Sequence, residues 1–231
     1  MRLVQEPLAG TVWIDELLAH TSRHDLVARV LDLDRGTVHI EPATRDDAFA
    51  FDGHRLRAVF GPRGRLLIVG AGQLSRVLAP IAQALDFEVT CCDPREEYHL
   101  TWDVSGTQFS KEMPDDLVLE LALDAHSAVV ALTHDPKLDD MVLLEALKSP
   151  AFYVGALGSR GNTAKRRERL AQFDLSPAQI DRLHGPIGLH LGSRTPAEIA
   201  VSIAAEIVAV RNGIALAQKK AGSAVPATMC G

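Results

Sequence analysis

No apolar run in this chain approaches the roughly 18 residues needed to cross a bilayer. The opening stretch MRLVQEPLAGTVWIDELL carries acids and has no clean signal-peptide core, so a cytoplasmic protein is expected. Cysteine is scarce. Two of the three are adjacent (Cys91, Cys92) and the third, Cys230, is next to last. An odd, sparse set excludes a disulfide framework, and no CxxC or Cys/His grouping has zinc spacing, so no metal site is expected. Positive charge is not in excess: the formal net charge is -6. A nucleic-acid partner would need a basic face, so none is expected, and any basic site must be local. No serine, histidine and aspartate order or acid pair stands out for hydrolysis, and there are no internal repeats.

What is present is an ordinary globular composition, 47% hydrophobic and 23% charged in 231 residues, enough for a sizeable core. Three parts are expected: an N-terminal segment at 1–60, a main domain at 61–215 and a flexible tail at 216–231. In the first, VWIDELLAH reads as a short helix. LVARVLDLDRGTVHIEP reads as strand, turn at Asp34-Arg35-Gly36, and strand, and TRDDAFAFDGHRLRAVFGPRG as a connector or edge structure. This small α+β segment is too short for a large core of its own.

From Arg65 the pattern alternates. RLLIV, FEVTCCD, SAVVALTH and AFYVGALG read as buried strands, and GPIGLHLG as a short fifth. Helices are expected at Gln73 to Leu85, PDDLVLELAL, KLDDMVLLEALK and NTAKRRERLAQF, with a short one in SPAQIDRL. TPAEIAVSIAAEIVAVRNG is the clearest. Thr195 is placed to cap it, with Pro196 first, Glu198 at the capping-box position and Gly213 at its end. Strand and helix in alternation predict an α/β fold: a Rossmann-like parallel sheet with helices on both faces.

LLIVGAGQLS joins a strand to a helix N-terminus, where unpaired N–H groups and the helix dipole favour a phosphate. Gly70 permits the turn, Gly72 admits an anion to the backbone, and Gln73 opens the helix. Ser75 stands where a third glycine is usual, small enough for close helix–strand packing. Asp93 ends the next strand about 20 residues on, where an acid can accept from a ribose hydroxyl. The competing readings are a glycine turn that binds nothing, and an Asp93 that pairs with Arg95.

A second glycine-rich turn closes AFYVGALG at Gly158. Ser159, Arg160, Gly161, Asn162 and Thr163 follow, then Lys165, Arg166 and Arg167. Cations in the first turns of a helix oppose its dipole by roughly 0.3–1 kcal/mol each when exposed. An arriving anion would reverse that, at about 1.5–3 kcal/mol per charge-assisted contact. The alternative is a solvated basic face with Glu168 pairing locally. After the third strand, Thr133, His134 and Asp135 should reach the same edge, with His134 able to donate to a ligand or act as acid or base. Asp135 reads as an N-cap, and Asp139 and Asp140 as solvent-facing. His184 before Gly-Pro reads as a turn residue. Cys91 and Cys92 read as small apolar fillers, and Cys230 as an incidental tail thiol, less readily a sulfur relay.

Six ordered blocks carry a family likeness: LLIVGAGQLSRVLAPIAQAL, VTCCDPREEY, VVALTHDPKLDD, FYVGALGSRGNTAKRRERL, and the two halves of HGPIGLHLGSRTPAEIAVSIAAEI. Over residues 41–213 the chain resembles the XdhC/CoxI family, accessory proteins of molybdenum hydroxylases such as xanthine dehydrogenase. The resemblance implies a chaperone that binds the molybdenum cofactor, as molybdopterin or its dinucleotide form. It implies help with exchange of oxo for sulfur by a cysteine desulfurase, delivery to the hydroxylase apoenzyme, and a homodimer. The cofactor-binding residues it would use are Gly70, Gly72, Gln73, Ser75, Asp93, Arg95, Thr133, His134, Gly158, Ser159, Arg160, Lys165 and Arg166. The GSSPR-like loop and GGGCxE-like block of the family's first domain have no counterpart here. Residues 1–60 resemble only the tail of that domain, Cys91 and Cys92 inherit no cofactor role, and a separate protein is expected to supply the other half.

Two other classes compete: an NAD(P)-dependent oxidoreductase and a nucleotide sensor without chemistry. About 150 residues of nucleotide fold leave little room for the substrate domain and proton donor of a dehydrogenase, although His134 could serve as the donor.

Overall fold

The computed structural model describes residues 5–6, 11–23, 25–44, 47 and 49–214. Cys230 and the expected tail lie outside them. The chain divides into two compact units, Met1–Arg63 and Gly64–Gly231.

In the first unit, helix α1 (Val12–Ser22) accompanies an antiparallel sheet of β1 (Val27–Asp32), β2 (Thr37–Pro42), β3 (Ala50–Phe51) and β4 (Arg55–Phe60), ordered β2-β1-β4-β3. β1 pairs with β2 on one side and β4 on the other, and buries Val27, Ala28, Val30 and Leu31. The stretch expected to be a connector or edge structure therefore holds two strands, β3 at the sheet edge and β4 inside it. Arg55 and Arg57 hide the pattern in RLRAVF, although Arg57 is only partly exposed and donates to Glu41 at 2.9 Å.

The second unit is the predicted parallel sheet, with six strands in place of five: β5 (Gly64–Val69), β6 (Phe87–Cys92), β7 (Gln108–Ser110), β8 (Ser127–Ala131), β9 (Tyr153–Ala156) and β10 (Leu183–His184). Their order is β10-β9-β8-β5-β6-β7. β7 is three residues of mostly polar sequence, too short to show a period. The last strand is not GPIGLHLG. β10 precedes it, and His184 is a strand residue paired with Gly155. Gly188 explains the difference. Its φ is +88°, and a Cβ there would stand 2.4 Å from Ser202 Oγ, so this segment bends against a helix.

The helices are α2 (Gln73–Ala84), α3 (Glu96–His99), α4 (Pro114–Glu120), α5 (Pro136–Ala146), α6 (Arg160–Leu170), α7 (Pro177–Asp181) and α8 (Pro196–Arg211). Alternate residues of β5 and β8 face opposite layers. Leu67, Val69, Val129 and Ala131 pack with Leu143, Leu147 and Leu170 of the α5–α6 side. Leu66, Ile68, Ala128 and Val130 pack with Leu78 of α2 and Ile203 and Ile207 of α8. Both faces are thus covered, which is why these strands are uninterrupted apolar runs. Capping boxes start α7 at Ser176 with Gln179, and α8 at Thr195 with Glu198.

Candidate functional site

The strand ends form one row. In register, Ser110, Cys92, Val69, Ala131 and Ala156 lie side by side at the carboxyl rim. Backbone bonds continue the row outward: Gly70 N–H to Cys92 O at 2.8 Å, Leu132 N–H to Val69 O at 2.7 Å, Leu157 N–H to Ala131 O at 2.9 Å. The loops after β5, β8 and β9 are therefore neighbours. The chain runs outward from β5 through β6 to β7, then returns to β8 on the opposite side of β5. That reversal is the position at which open α/β sheets take their ligands. Gly72 and Arg160 start α2 and α6 on this rim, α2 on the sheet face shared with α8 and α6 on the face shared with α5.

The two glycines of the first loop have different causes. Gly70 has φ +106°, and a Cβ would lie 2.9 Å from the backbone of Leu132 and Thr133, so the fold itself demands glycine. Gly72 has ordinary extended backbone, and a Cβ there would meet nothing within 4 Å. Nothing in the described residues requires glycine at 72, and the space before it is open to a ligand. Gln73 is exposed beside it. Ser75 is buried, and its hydroxyl donates to Gly70 O, bracing the turn.

Asp93 faces inward. It is fully buried and accepts from Ala71 N–H at 2.9 Å and from Arg95 Nε and Nη2, both at 2.8 Å. Arg95 in turn lies over the Tyr98 ring at 4.2 Å. The acid stands behind the glycine loop with its partner already in place, an arrangement with no free carboxylate edge for a ribose.

The loop after β8 and the start of α6 enclose a cleft of about 200 Å³, lined among others by His134, Gly158, Asn162, Lys165 and Arg166. Its floor is an ion-pair network. Arg166, side chain 7% exposed, donates from Nη2 to Asp139 Oδ2 at 2.8 Å, from Nε to Asp140 Oδ1 at 3.2 Å and from Nη1 to Leu157 O at 3.0 Å. Thr133 donates from its hydroxyl to Asp139 Oδ1 at 2.7 Å, and Arg169 from Nε to Asp140 Oδ2 at 2.6 Å. Burial pushes the Asp139 carboxyl up, against the pull of Thr133 and Arg166. Asp139 and Asp140 thus are not solvent-facing. They fasten α5 to α6, while Asp135 caps α5 through Lys137 N–H at 2.9 Å.

The mouth differs from the floor. His134, Asn162 and Lys165 are exposed, and none of these side chains has a hydrogen-bond or ion-pair partner among the described residues. His134 holds φ +62°, a left-handed conformation uncommon outside glycine. Ser159 caps α6 by accepting from Asn162 N–H at 3.2 Å. Arg160 is exposed at the first position of α6. Of the residues expected in the site, His134, Gly158, Lys165 and Arg166 meet in this cleft. Gly70, Gly72, Gln73 and Ser75 form the separate first loop, and Asp93 and Arg95 stand behind it. Asn162, from the second glycine-rich turn, and Arg169, unannounced by the sequence, also line the cleft.

Among the described residues no group of three or more His, Cys, Asp or Glu could hold a metal ion, and no helix is long and apolar enough to cross a membrane. Cys91 and Cys92 are buried free thiols. What the rim supplies is N–H groups, an ammonium and an imidazole, which fit an oxyanion such as a cofactor phosphate.

The family model for the XdhC Rossmann domain matches residues 66–207. A protein of Bacillus subtilis described as a probable xanthine dehydrogenase component is 31% identical over 156 residues, 67% of this chain and 45% of its own length. The molybdenum cofactor insertion chaperone PaoD of Escherichia coli is 32% identical over 89 residues, 38% of this chain and 28% of its own. An uncharacterized E. coli protein, YqeB, is 32% identical over 157 residues, 67% of this chain and 29% of its own. The chain therefore spans less than half the length of each of these relatives. A crystal structure described as that of a xanthine dehydrogenase from Bacillus halodurans shares the fold, with TM-score 0.67 and 21% identity over 87% of this chain and 67% of that one.

Proposed function

The chain belongs to the XdhC family through its Rossmann domain, and we propose on that premise that it binds the molybdenum cofactor and delivers it to a molybdenum hydroxylase apoenzyme of the xanthine dehydrogenase type. The observation that carries this reading is the rim, where the loops after β5, β8 and β9 adjoin at the reversal of strand order. When bound, the cofactor supplies the metal and its exchangeable ligand. The chain's part is to hold the phosphate-bearing end: the α2 loop at Gly72 and the cleft at His134 and Lys165 offer donors on the same rim. The protein works as a carrier in the cytoplasm, as a homodimer, with a cysteine desulfurase supplying sulfur.

The oxidoreductase reading is weaker here, because Asp93, the acid a NAD ribose would use, is buried under Arg95. Titration calorimetry of the purified chain against molybdopterin, its dinucleotide forms, NAD and NADP tests the proposal. Binding of a molybdopterin form in preference to both nicotinamide nucleotides is expected. Tight binding of NAD or NADP with none of the molybdopterin forms would overturn it.

A further inference from the structure

One buried polar atom beside this cleft has no partner among the described residues. Thr163, 5% exposed in the first turns of α6, buries its hydroxyl oxygen without a hydrogen bond. Buried hydroxyls are almost always satisfied, so an orphan of this kind calls for an explanation. Its position supplies one. The place a Cβ on Gly158 would take lies 3.9 Å from Thr163 Oγ1 and 3.9 Å from Arg166 Nη1, in ordinary contact with both. The hydroxyl lies behind the cleft wall, between Gly158, which lines the cleft, and Gly185, whose Cβ place is 3.1 Å from the same oxygen; hydrogen at Gly158 leaves the cleft side as the approach to the hydroxyl and the guanidinium. Three of the five N–H donors of Arg166 are engaged, which leaves two.

The balance of charge at the cleft is positive. The floor residues Asp139 and Asp140 are matched by Arg166 and Arg169, two acids against two bases. Lys165 then adds a positive charge at the mouth, with His134 beside it. The helix N-terminus contributes its dipole in the same sense. Size sets the class of ligand. About 200 Å³ is below the ~300–1,000 Å³ of sites that enclose a whole drug-sized molecule. The cleft has room for a head group, and the Asp139–Arg166 pair closes its floor.

We propose that this cleft is a receptor for a phosphate monoester, the terminal phosphate of the ligand, held by Thr163, Lys165 and Arg166, while the rest of the ligand lies along the rim toward Gly72. The proposal rests on the cofactor-carrier reading for the identity of the ligand, and on the cleft alone for the phosphate. It implies preference for molybdopterin, which ends in a monoester, over its dinucleotide form, whose diphosphate is internal.

The test is a titration of the full chain with inorganic phosphate, followed by amide NMR, on the wild type and on Thr163→Val, Thr163→Ser and Lys165→Ala. Phosphate should shift amides within 158–165. Thr163→Val and Lys165→Ala should each weaken that binding by about tenfold, and Thr163→Ser should retain it. Thr163→Val removes an unpaired hydroxyl, so its melting temperature should be no lower than the wild type. Shifts confined to 70–75, no shifts at tens of millimolar phosphate, or equal affinity in Thr163→Val would each overturn the proposal. Molybdopterin is titrated in parallel. If it binds the wild type and Thr163→Val equally, the subsite falls and the carrier function stands. If it fails to bind while phosphate still shifts 158–165, the function falls and the subsite stands.

Discussion

Asp93 holds Ala71 from behind: its Oδ2 accepts the Ala71 backbone N–H at 2.9 Å, so an acid at the end of β6 fixes the glycine loop at the end of β5. Arg95 bonds both oxygens of the same carboxylate. An acid that in a dinucleotide-binding fold faces a ribose is here part of the scaffold. Asp93→Asn should therefore lower stability by about 3 kcal/mol, the low end for breaking a buried pair because Arg95 keeps some solvent. Chemical denaturation measures this. A change under 1 kcal/mol would show that the carboxylate does not brace the loop.

Gly70 and Gly72 should separate stability from binding. Gly70→Ala places a methyl 2.9 Å from the Leu132 and Thr133 backbone at φ +106°, and should cost about 3 kcal/mol. Gly72→Ala meets open space and should alter stability by no more than about 0.5 kcal/mol, yet weaken cofactor binding. Melting curves and calorimetry on the pair decide it. Unchanged affinity in Gly72→Ala would remove the first loop from the site.

The cations of α6 should divide in the same way. Arg166→Ala leaves Asp139 buried without its partner and should cost about 3–5 kcal/mol. The double change Arg160→Ala with Lys165→Ala touches exposed side chains and should cost no more than about 1 kcal/mol while lowering ligand affinity. Full affinity in that double variant would exclude the second loop from ligand binding.

The adjacent thiols should be inert and should make the fold sensitive to alkali. Burial pushes the Cys92 thiol up to about 12 and the Cys91 thiol higher still. An unfolded thiol ionises near 8.5. Above that pH the unfolded chain binds fewer protons than the folded one, so stability falls as pH rises through this window. Each thiol contributes a slope of up to about 1.4 kcal/mol per pH unit. Below pH 8.5 the contribution is fully present. Cys91→Ala should flatten the alkaline limb of stability against pH even though it lowers the whole curve. Native-state alkylation at pH 8, mapped by peptide mass spectrometry, should leave both positions unlabelled. Prompt labelling of either would contradict the burial argument.

Some of this was legible in the chain and some was not. The runs RLLIV and SAVVA announce a doubly covered parallel sheet, because strands buried on both faces have no polar alternation to hide them. The caps at Asp135 and Thr195 are local, decided within four residues, and read directly, whereas the cap at Ser159 starts α6 two residues before the expected Asn162. β7 and β10 are two or three residues long and carry no period. The floor of the cleft was illegible for another reason. Arg166 meets Asp139 across 27 positions, and no spacing rule links an acid on one helix to a base on the next. Asp139 in PKLDD looks like any first-turn acid until the neighbouring helix is in place. The orphan hydroxyl of Thr163 leaves no trace in one sequence either, since a threonine in the first turns of a helix is unremarked.

The close approach of Gly70 to Leu132 and Thr133 has a mechanical consequence. With backbone against backbone and no side chain between to act as a cushion, the turn after β5 cannot sink toward the sheet without displacing the segment that ends in His134. A guest pressing on one would be felt at the other as a shove, with no hinge or gate in between.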